Sequence, residues 1–194
     1  MIGARIMAWA GAATALLLPC GPAAAAPAAA LLVPAESQIA FVSKQMGVPV
    51  EGVFRKFEVQ IALDPKKPEG GTVVLQIDTG SASFNAPQAD AELPTALWFD
   101  VARFPRASFQ SESIRNLGYG RLEVAGRLTI KGQARQVVVP VAITQTEGKS
   151  VATGTFAIKR LEFRVGDGDW SDTAMVADEV QVRFKLTLTG LGPL

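Results

Sequence analysis

The residues that most often perform acid–base or zinc chemistry are nearly absent from this chain. It contains no histidine, and its single cysteine is Cys20. Histidine is the usual general base near neutral pH, and histidine and cysteine are the usual zinc ligands. Serines are plentiful, but a serine nucleophile would here need a lysine or carboxylate as its base, and no spacing places such a pair. The sequence therefore predicts no catalytic residue and no enzymatic activity.

Carboxylates are concentrated in one stretch near the C-terminal end of the chain. Asp167, Asp169, Ser171 and Asp178 are spaced faintly like the ligands of a calcium loop. The sixth position of such a loop would be Asp172, where the sharp turn requires glycine. A solvated turn is the preferred interpretation, and no metal is predicted. The glycine-rich segments contain no G-x-x-x-x-G-K-[ST] motif for binding phosphate.

The charge balance argues against a nucleic-acid partner. The chain has 19 Lys and Arg against 18 Asp and Glu. The only charged residue among the first thirty is Arg5, so residues 31–194 carry 18 of each sign. A neutral protein has no global field that would attract nucleic acid or anionic lipid.

Residues 1–30 have the composition of a secretory signal peptide. Arg5 gives the positive start, and the apolar residues 6–18 are too few to span a bilayer with any margin. Small residues allow cleavage after Ala25 or after Ala30. We therefore predict a secreted protein that is not an integral membrane protein.

A lipoprotein signal is the alternative, with Cys20 as the lipid anchor. Pro19 stands where such a signal needs a small residue, so this interpretation is disfavoured. If Cys20 is removed with the signal, the mature protein has no thiol and its stability comes from packing. Residues 31–194 are predicted to form one domain. The sequence leaves open whether two copies form a homodimer.

Alternating hydrophobicity dominates the remaining chain, most clearly in residues 121–144. In residues 121–130 nearly every second side chain is apolar, and residues 137–143 repeat the pattern after a break at Lys131 and Gly132. Strand side chains switch faces at each residue, so each arm is a half-buried strand and the pair is a β-hairpin. A lone hairpin is marginal in water, so further strands must cover its apolar face.

About eight segments with this alternation follow one another, most of them joined by short turns. They are residues 38–44, 50–63, 73–83, 107–116, 121–130, 136–143, 151–163 and 180–189. Such a series is typical of an all-β sandwich or barrel, and closure into a barrel removes the exposed edges. We predict an all-β, eight-stranded antiparallel barrel.

Two irregularities are expected in this barrel. The apolar phase changes between Phe54 and Phe57, which predicts a bulge or bend in that strand. Residues 85–104 have helical character, with Pro94 expected to begin a second helical piece. An eight-stranded barrel is filled by side chains or holds one small ligand, and strands of about ten residues rise roughly 33 Å. Such a narrow slot would suit an extended chain molecule.

Five motifs, in order, resemble those of the YceI family of bacterial secreted proteins, which are polyisoprenoid-binding and lipocalin-like. They are VEGVF at 50–54, WFD at 98–100, PRASFQS at 105–111, GRLTIKG at 126–132 and RLEF at 160–163. The resemblance covers about residues 33–189. It implies a periplasmic, lipocalin-like barrel with a short helical insertion and an isoprenoid lipid, such as a polyprenyl chain or a quinone tail, inside. Many members have a histidine near the position of Gln45, and a headgroup role for it does not carry over.

The apolar tunnel implied by this resemblance would be lined by inward-facing strand residues and closed by residues of the loops. The strand residues are Phe41, Phe54, Leu75, Ile77, Phe109, Leu128, Phe156 and Phe184, and the loop residues are Trp98, Phe99, Trp170 and Met175. The small residues Gly52, Gly126 and Gly154 are interpreted as leaving space along the wall. Arg160 and Glu162 are interpreted as a structural ion pair at a strand end.

Two other functions are compatible with the sequence. In the first, side chains fill the barrel and the protein acts as an interaction module through its loops. In the second, less favoured, the protein is an enzyme acting on a lipid headgroup, with a buried polar pair near Asp100 or Arg160. The volume of the interior separates the first of these from a lipid carrier.

Overall fold

The computed structural model describes residues 29–193, which form one sheet closed into a barrel. The predicted signal peptide, with Cys20 and Ala25, lies outside these residues except at its last two positions. The strands are β1 Ala29–Leu32, β2 Gln38–Gln45, β3 Val48–Phe54, β4 Phe57–Ala62, β5 Thr72–Asp78, β6 Ala82–Ser83, β7 Arg106–Gly118, β8 Arg121–Ile130, β9 Gln133–Thr146, β10 Lys149–Lys159 and β11 Glu179–Thr189, with one helix, α1 Pro87–Glu92. All pairings between the strands are antiparallel.

The eleven segments make eight strands, because three strands are interrupted. The first strand is β1 and β2, the second is β3 and β4, and the third is β5 and β6. Closure comes from the first strand, which pairs with β11 on one side and with β3 and β4 on the other. The predicted eight-stranded antiparallel barrel with a short helical insertion is confirmed.

The hairpin of β8 and β9 follows the alternation of the sequence. Every second residue of β8 from Leu122 to Ile130 is buried, without exception. The residues between them are at least partly exposed. The turn places Lys131 at φ 48° and Gly132 at φ 72°. Both lie in the left-handed region, where glycine has no steric cost, and such turns match the twist of paired strands.

The phase change between Phe54 and Phe57 is a break in the second strand. β3 ends at Phe54 and β4 begins at Phe57, while the Arg55 N–H donates to the Ser81 carbonyl instead of to a ladder partner. The two residues between the strands let both segments direct apolar side chains inward. The predicted bend is therefore confirmed.

The longer connections lie at one end of the barrel, called here the loop end. They are residues 84–105, which contain α1, and residues 160–178. Two sequence predictions about them are wrong. Residues after Pro94 form hydrogen-bonded turns instead of a second helix, and the strand predicted to reach Phe163 ends at Lys159, followed by the 3-10 turn Arg160–Phe163. No helix among residues 29–193 is long and apolar enough to cross a membrane.

Candidate ligand-binding cavity

The barrel encloses a cavity of about 190 Å³. That is more than ten times the ~10–15 Å³ needed to hold one water molecule, so it is not a packing defect. It extends from Trp98 and Phe163 at the loop end to Leu63 and Leu188 toward the other end. Cavities of about 150 Å³ lined by Leu, Ile and Phe stay dry and bind small hydrocarbons.

The wall of the cavity is almost entirely carbon. Among the described residues, Ser43 and Arg160 are the only ones in the lining with a polar side chain, apart from the indole of Trp98. The indole Nε1 is buried under protein atoms and finds no acceptor among the described residues, so it offers no donor to the lumen. A polar group that lost water without gaining a partner would be penalised here. The lumen therefore selects hydrocarbon.

Ten of the twelve predicted site residues line this cavity. They are Phe41, Phe54, Leu75, Ile77, Trp98, Phe99, Phe109, Leu128, Phe156 and Phe184. The alternation of each strand directs these side chains inward, and Trp98 and Phe99 reach the lumen from the turns after Pro94. Their contact with a ligand stays a prediction.

The other two, Trp170 and Met175, were predicted at the rim of the tunnel and are not among the residues that line the cavity. Their contact with a ligand also stays a prediction. The ring of Trp170, in the loop of residues 160–178, packs on the ring of Trp98 with 5.5 Å between the centroids. Met175 is 48% exposed, and its carbonyl accepts the N–H of Met46 from the turn between β2 and β3. Both residues lie in a loop without alternation, where the sequence gives no side-chain direction.

Four phenylalanines form a chain of ring contacts toward the loop end. Phe41 lies 5.1 Å from Phe54 and 5.2 Å from Phe84, and Phe54 lies 5.9 Å from Phe99. The tilted and edge-on arrangements are the ones that aromatic pairs prefer. Phe84 also lines the cavity but was not among the predicted residues, nor were Leu93, Phe163 and Val165 of the same end. The apolar type of these residues was visible in the sequence, but their direction was not.

The interpretation that three glycines leave empty space along the wall is wrong, because aromatic rings occupy that space. A methyl group on Gly52 would lie within 3.0 Å of the Phe41 ring, which stands directly across the ladder. Gly154 is covered in the same way by Phe184, its cross-strand partner. Gly126 is covered by Phe109 from a diagonal position. Each ring can lie against the wall because the glycine beneath it has no side chain. In this position the ring does not fill the centre of the lumen.

Gly52 offers the cleanest test of this arrangement. The Gly52→Ala variant is expected to fold, since the methyl meets only the movable end of Phe41, but to press that ring into the lumen. A ring that displaces two methylene groups of a ligand costs about 1.6 kcal/mol of binding, or about fifteenfold in Kd. Titration of a fluorescent lipid, with Gly70→Ala as control because nothing lies near Gly70, measures the effect. Equal Kd values for both variants would contradict the role assigned to the glycine.

Arg160 is the buried cation of the loop end, and it does not pair with Glu162 as the sequence interpretation held. Only 2% of Arg160 is exposed. Its five N–H groups donate to the carbonyls of Val165, Gly166, Trp170, Val176 and Ala177 at 2.7–3.1 Å. Burial lowers the pKa of its guanidinium, against the opposing effect of the Asp178 and Asp167 carboxylates. With every donor used, Arg160 organises the loop and has none left for a headgroup.

Glu162 instead lies 3.9 Å from Arg135 on β9, and both side chains are largely exposed. Asp100, the other polar residue considered for catalysis, accepts from Arg103 at 3.4 Å. Arg160 and Asp100 therefore each have other partners. The geometry gives no support to the alternative of a catalytic pair at these two positions.

Two further charged side chains hold the loop end together. Lys131 donates to the carbonyl of Arg164 at 2.6 Å, and burial lowers the pKa of its ammonium although Asp167 and Asp100 oppose this. Asp90 of α1 accepts the N–H of Phe84 at 2.6 Å, the largest of the contacts that lower the pKa of its carboxyl. The first contact ties the turn between β8 and β9 to the loop of residues 160–178, and the second ties α1 to the start of its own connection.

Three carboxylates of the stretch compared with a calcium loop have local partners. Asp167 pairs with Arg164, Asp172 accepts the N–H of Ala174, and Asp178 accepts the N–H of Leu161. Within residues 29–193 no three Asp, Glu, His or Cys side chains come close enough to hold a metal ion.

The fold and the cavity define a class of protein: a closed eight-stranded antiparallel barrel with an apolar interior, as in lipocalin-like binding proteins. The model of the YceI-like domain matches residues 31–188. The chain therefore belongs to the YceI family, as its motifs indicated.

Similar proteins come from several bacteria. A UPF0312 protein of Vibrio cholerae is 31% identical over 106 residues, which cover 54% of this chain and 56% of that protein. Protein YceI of Salmonella arizonae is 32% identical over 108 residues, with 54% and 56% covered. The matched part is thus a little over half the length of these curated relatives.

Solved structures extend the similarity over most of the barrel. BcnA of Burkholderia cenocepacia is 40% identical, with a TM-score of 0.78 and 80% of this chain and 98% of that chain covered. A polyisoprenoid-binding domain from Saccharophagus degradans is 16% identical, with a TM-score of 0.66 and 84% and 99% covered. The second likeness establishes the common fold.

Proposed function

We propose that this protein is a periplasmic carrier or store for an isoprenoid lipid, such as a polyprenyl or quinone tail. The observation that carries the proposal is a barrel lumen lined almost wholly by apolar side chains. Burial of hydrocarbon contributes about 0.8 kcal/mol per methylene group, so a lipid tail gains affinity with each unit that enters. Membership of the YceI family, together with the likeness in fold to a polyisoprenoid-binding domain, supports the choice of ligand.

The role we propose is binding without chemistry. The open lumen disfavours the alternative of a barrel plugged by its own side chains. Among the described residues, the two polar side chains considered for catalysis, Asp100 and Arg160, have structural partners. The ten lining residues that the sequence identified are proposed as the ligand contacts, and three of them, Phe41, Phe54 and Phe99, belong to the chain of ring contacts toward the loop end.

Secretion to the periplasm is part of this proposal. Ala29 and Ala30 pair with Ala62 and Ile61 of β4, and Ala30 is buried. Signal cleavage after Ala30 would remove these two residues from the closing strand, whereas cleavage after Ala25 would keep them. We therefore favour cleavage after Ala25.

The direct test is organic extraction of the protein purified from the periplasm of its native host, followed by mass spectrometry. We expect a long-chain isoprenoid in the extract. We also expect the intact mass of the protein to equal that of a chain whose first residue is Ala26. A protein boiled before purification serves as the control for carried-over membrane lipid. If the folded protein yielded no long-chain lipid and added quinone did not bind, the proposed function would be wrong.

A further inference from the structure

A second cavity opens on the outer side of the barrel, at the break between β3 and β4. This side cleft has a volume of about 690 Å³. It lies where the first strand turns through Pro34–Glu36 and no longer pairs with the second strand. Its apolar lining includes Phe54, Phe57 and Ile77, and its charged residues are Arg55, Lys56, Glu58, Asp78 and Arg106.

Only a thin apolar partition separates the side cleft from the lumen. Phe54 and Ile77 line both spaces. Phe57 follows the inward phase of β4 but lines the side cleft and not the lumen. The floor of the cleft is therefore apolar and continuous with the wall of the tunnel.

The rim of the side cleft carries three cations that make no ion pair within the described residues, although the charge of Arg55 helps to lower the pKa of the Asp90 carboxyl. Arg55 donates to Asn85 and Ser83, and Arg106 donates to Gln76. The ammonium of Lys56 makes no hydrogen bond or ion pair within residues 29–193.

Two carboxylates share this rim, which leaves it with one net positive charge. Asp78 accepts the N–H of Gly80 and faces Arg106 across the ladder, without an ion pair between them. Glu58 faces Gln76 across the neighbouring ladder. Neither acid is ion-paired with Lys56, so among the described residues the Lys56 ammonium is available to an incoming anion.

We propose that the side cleft binds the anionic headgroup, a carboxylate or a phosphate, of a lipid whose tail lies in the lumen. This assignment rests on the proposed function. The lumen wall offers a headgroup almost no polar partner, so a charged head would have to remain outside. The side cleft places cations against the same wall, where an anion accepts charge-assisted hydrogen bonds while its tail crosses between Phe54 and Ile77.

Two probes with the same branched chain separate the tail from the head: phytanic acid, which is anionic, and its neutral alcohol, phytanol. Competition against a fluorescent lipid gives both Kd values. Lys56→Gln and Arg106→Gln are each expected to weaken phytanic acid about two- to fivefold, with phytanol unchanged. Glu58→Gln is expected to strengthen phytanic acid by a similar factor, about two- to fivefold, because it removes a repelling charge. Lys185→Gln, an exposed cation on β11, is the matched control.

The outcomes test the lipid function and the headgroup site separately. If phytanol binds but no variant at the rim changes the ratio of the two Kd values, the headgroup site is wrong and the lipid function stands. Inorganic phosphate is tested as a third competitor. If it displaced the fluorescent lipid as strongly as phytanic acid does, the cleft would recognise a free anion, and its assignment to a lipid headgroup would be overturned. Failure of both probes to bind the unmodified protein would overturn the lipid function together with the headgroup site.

Discussion

The Arg160→Met variant is expected to lose about 3–5 kcal/mol of its free energy of unfolding, because several buried carbonyls would be left without a hydrogen-bond donor. Methionine fills a similar volume but donates nothing, so the five carbonyls that Arg160 now satisfies would lose their donor. A buried acceptor without a partner costs about 1–3 kcal/mol, and a carbonyl that can reach water recovers part of that cost. For a domain of this size we expect Tm to fall by roughly 10 °C.

Thermal unfolding followed by circular dichroism measures this change, and two variants make it specific. Arg160→Lys keeps the charge but has three donors in place of five, so its Tm should lie between those of the methionine variant and the unmodified protein. Arg135→Met removes a cation from the exposed pair with Glu162 and should change stability by less than about 1 kcal/mol. A methionine variant at position 160 as stable as the one at position 135 would show that the guanidinium does not organise the loop.

The effect on ligand binding should follow from where these carbonyls lie. All five belong to residues 165–177, in the loop that packs against Trp98 through Trp170. Trp98 lines the lumen, so a disordered loop would expose that end of the cavity to water. We therefore expect the methionine variant to release bound lipid faster even at temperatures where the barrel stays folded.

The barrel could be predicted from the sequence because its information is local. In β8 the alternation from Leu122 to Ile130 fixes which side chains point inward, and one closed sheet satisfies all such strands at once. The break between Phe54 and Phe57 was visible for the same reason, as a change of phase within one strand. Strand residues such as Phe109 and Leu128 were placed correctly in the cavity wall by this argument.

The loops and the glycines could not be predicted in this way, because their contacts are made across long stretches of chain. Arg160 is followed two residues later by Glu162, which suggested a pair, but its carbonyl partners come from the irregular backbone of residues 165–177. Gly154 indicated missing volume, but only the register with β11 shows that the Phe184 ring covers it. Composition indicates that such residues matter, whereas three-dimensional register decides what they touch.

Replacement of Phe184 by aspartate should prevent folding or lipid uptake at neutral pH. The Phe184 ring lies over Gly154 on β10 and lines the lumen. Aspartate would leave a gap over the glycine, and large-to-small changes of this kind cost about 3–5 kcal/mol. It would also place a carboxylate in the wall, where Arg160, the one cation among the described lining residues, has all its donors engaged. The combined loss is comparable with the total stability of a typical domain, about 5–15 kcal/mol.

The pH dependence of the Phe184→Asp variant separates the charge from the gap. Burial in an apolar wall raises the pKa of a carboxyl above its value in the unfolded chain, which is about 3.9. Between these two pKa values the unfolded state loses its proton first, so the variant should become less stable as pH rises, by up to about 1.4 kcal/mol per pH unit. Phe184→Asn has nearly the same shape without the charge, so the difference in Tm between the two variants should be small near pH 4 and widen toward pH 7. A difference that did not change with pH would mean that the side chain of residue 184 reaches water and that this face of β11 does not line the lumen.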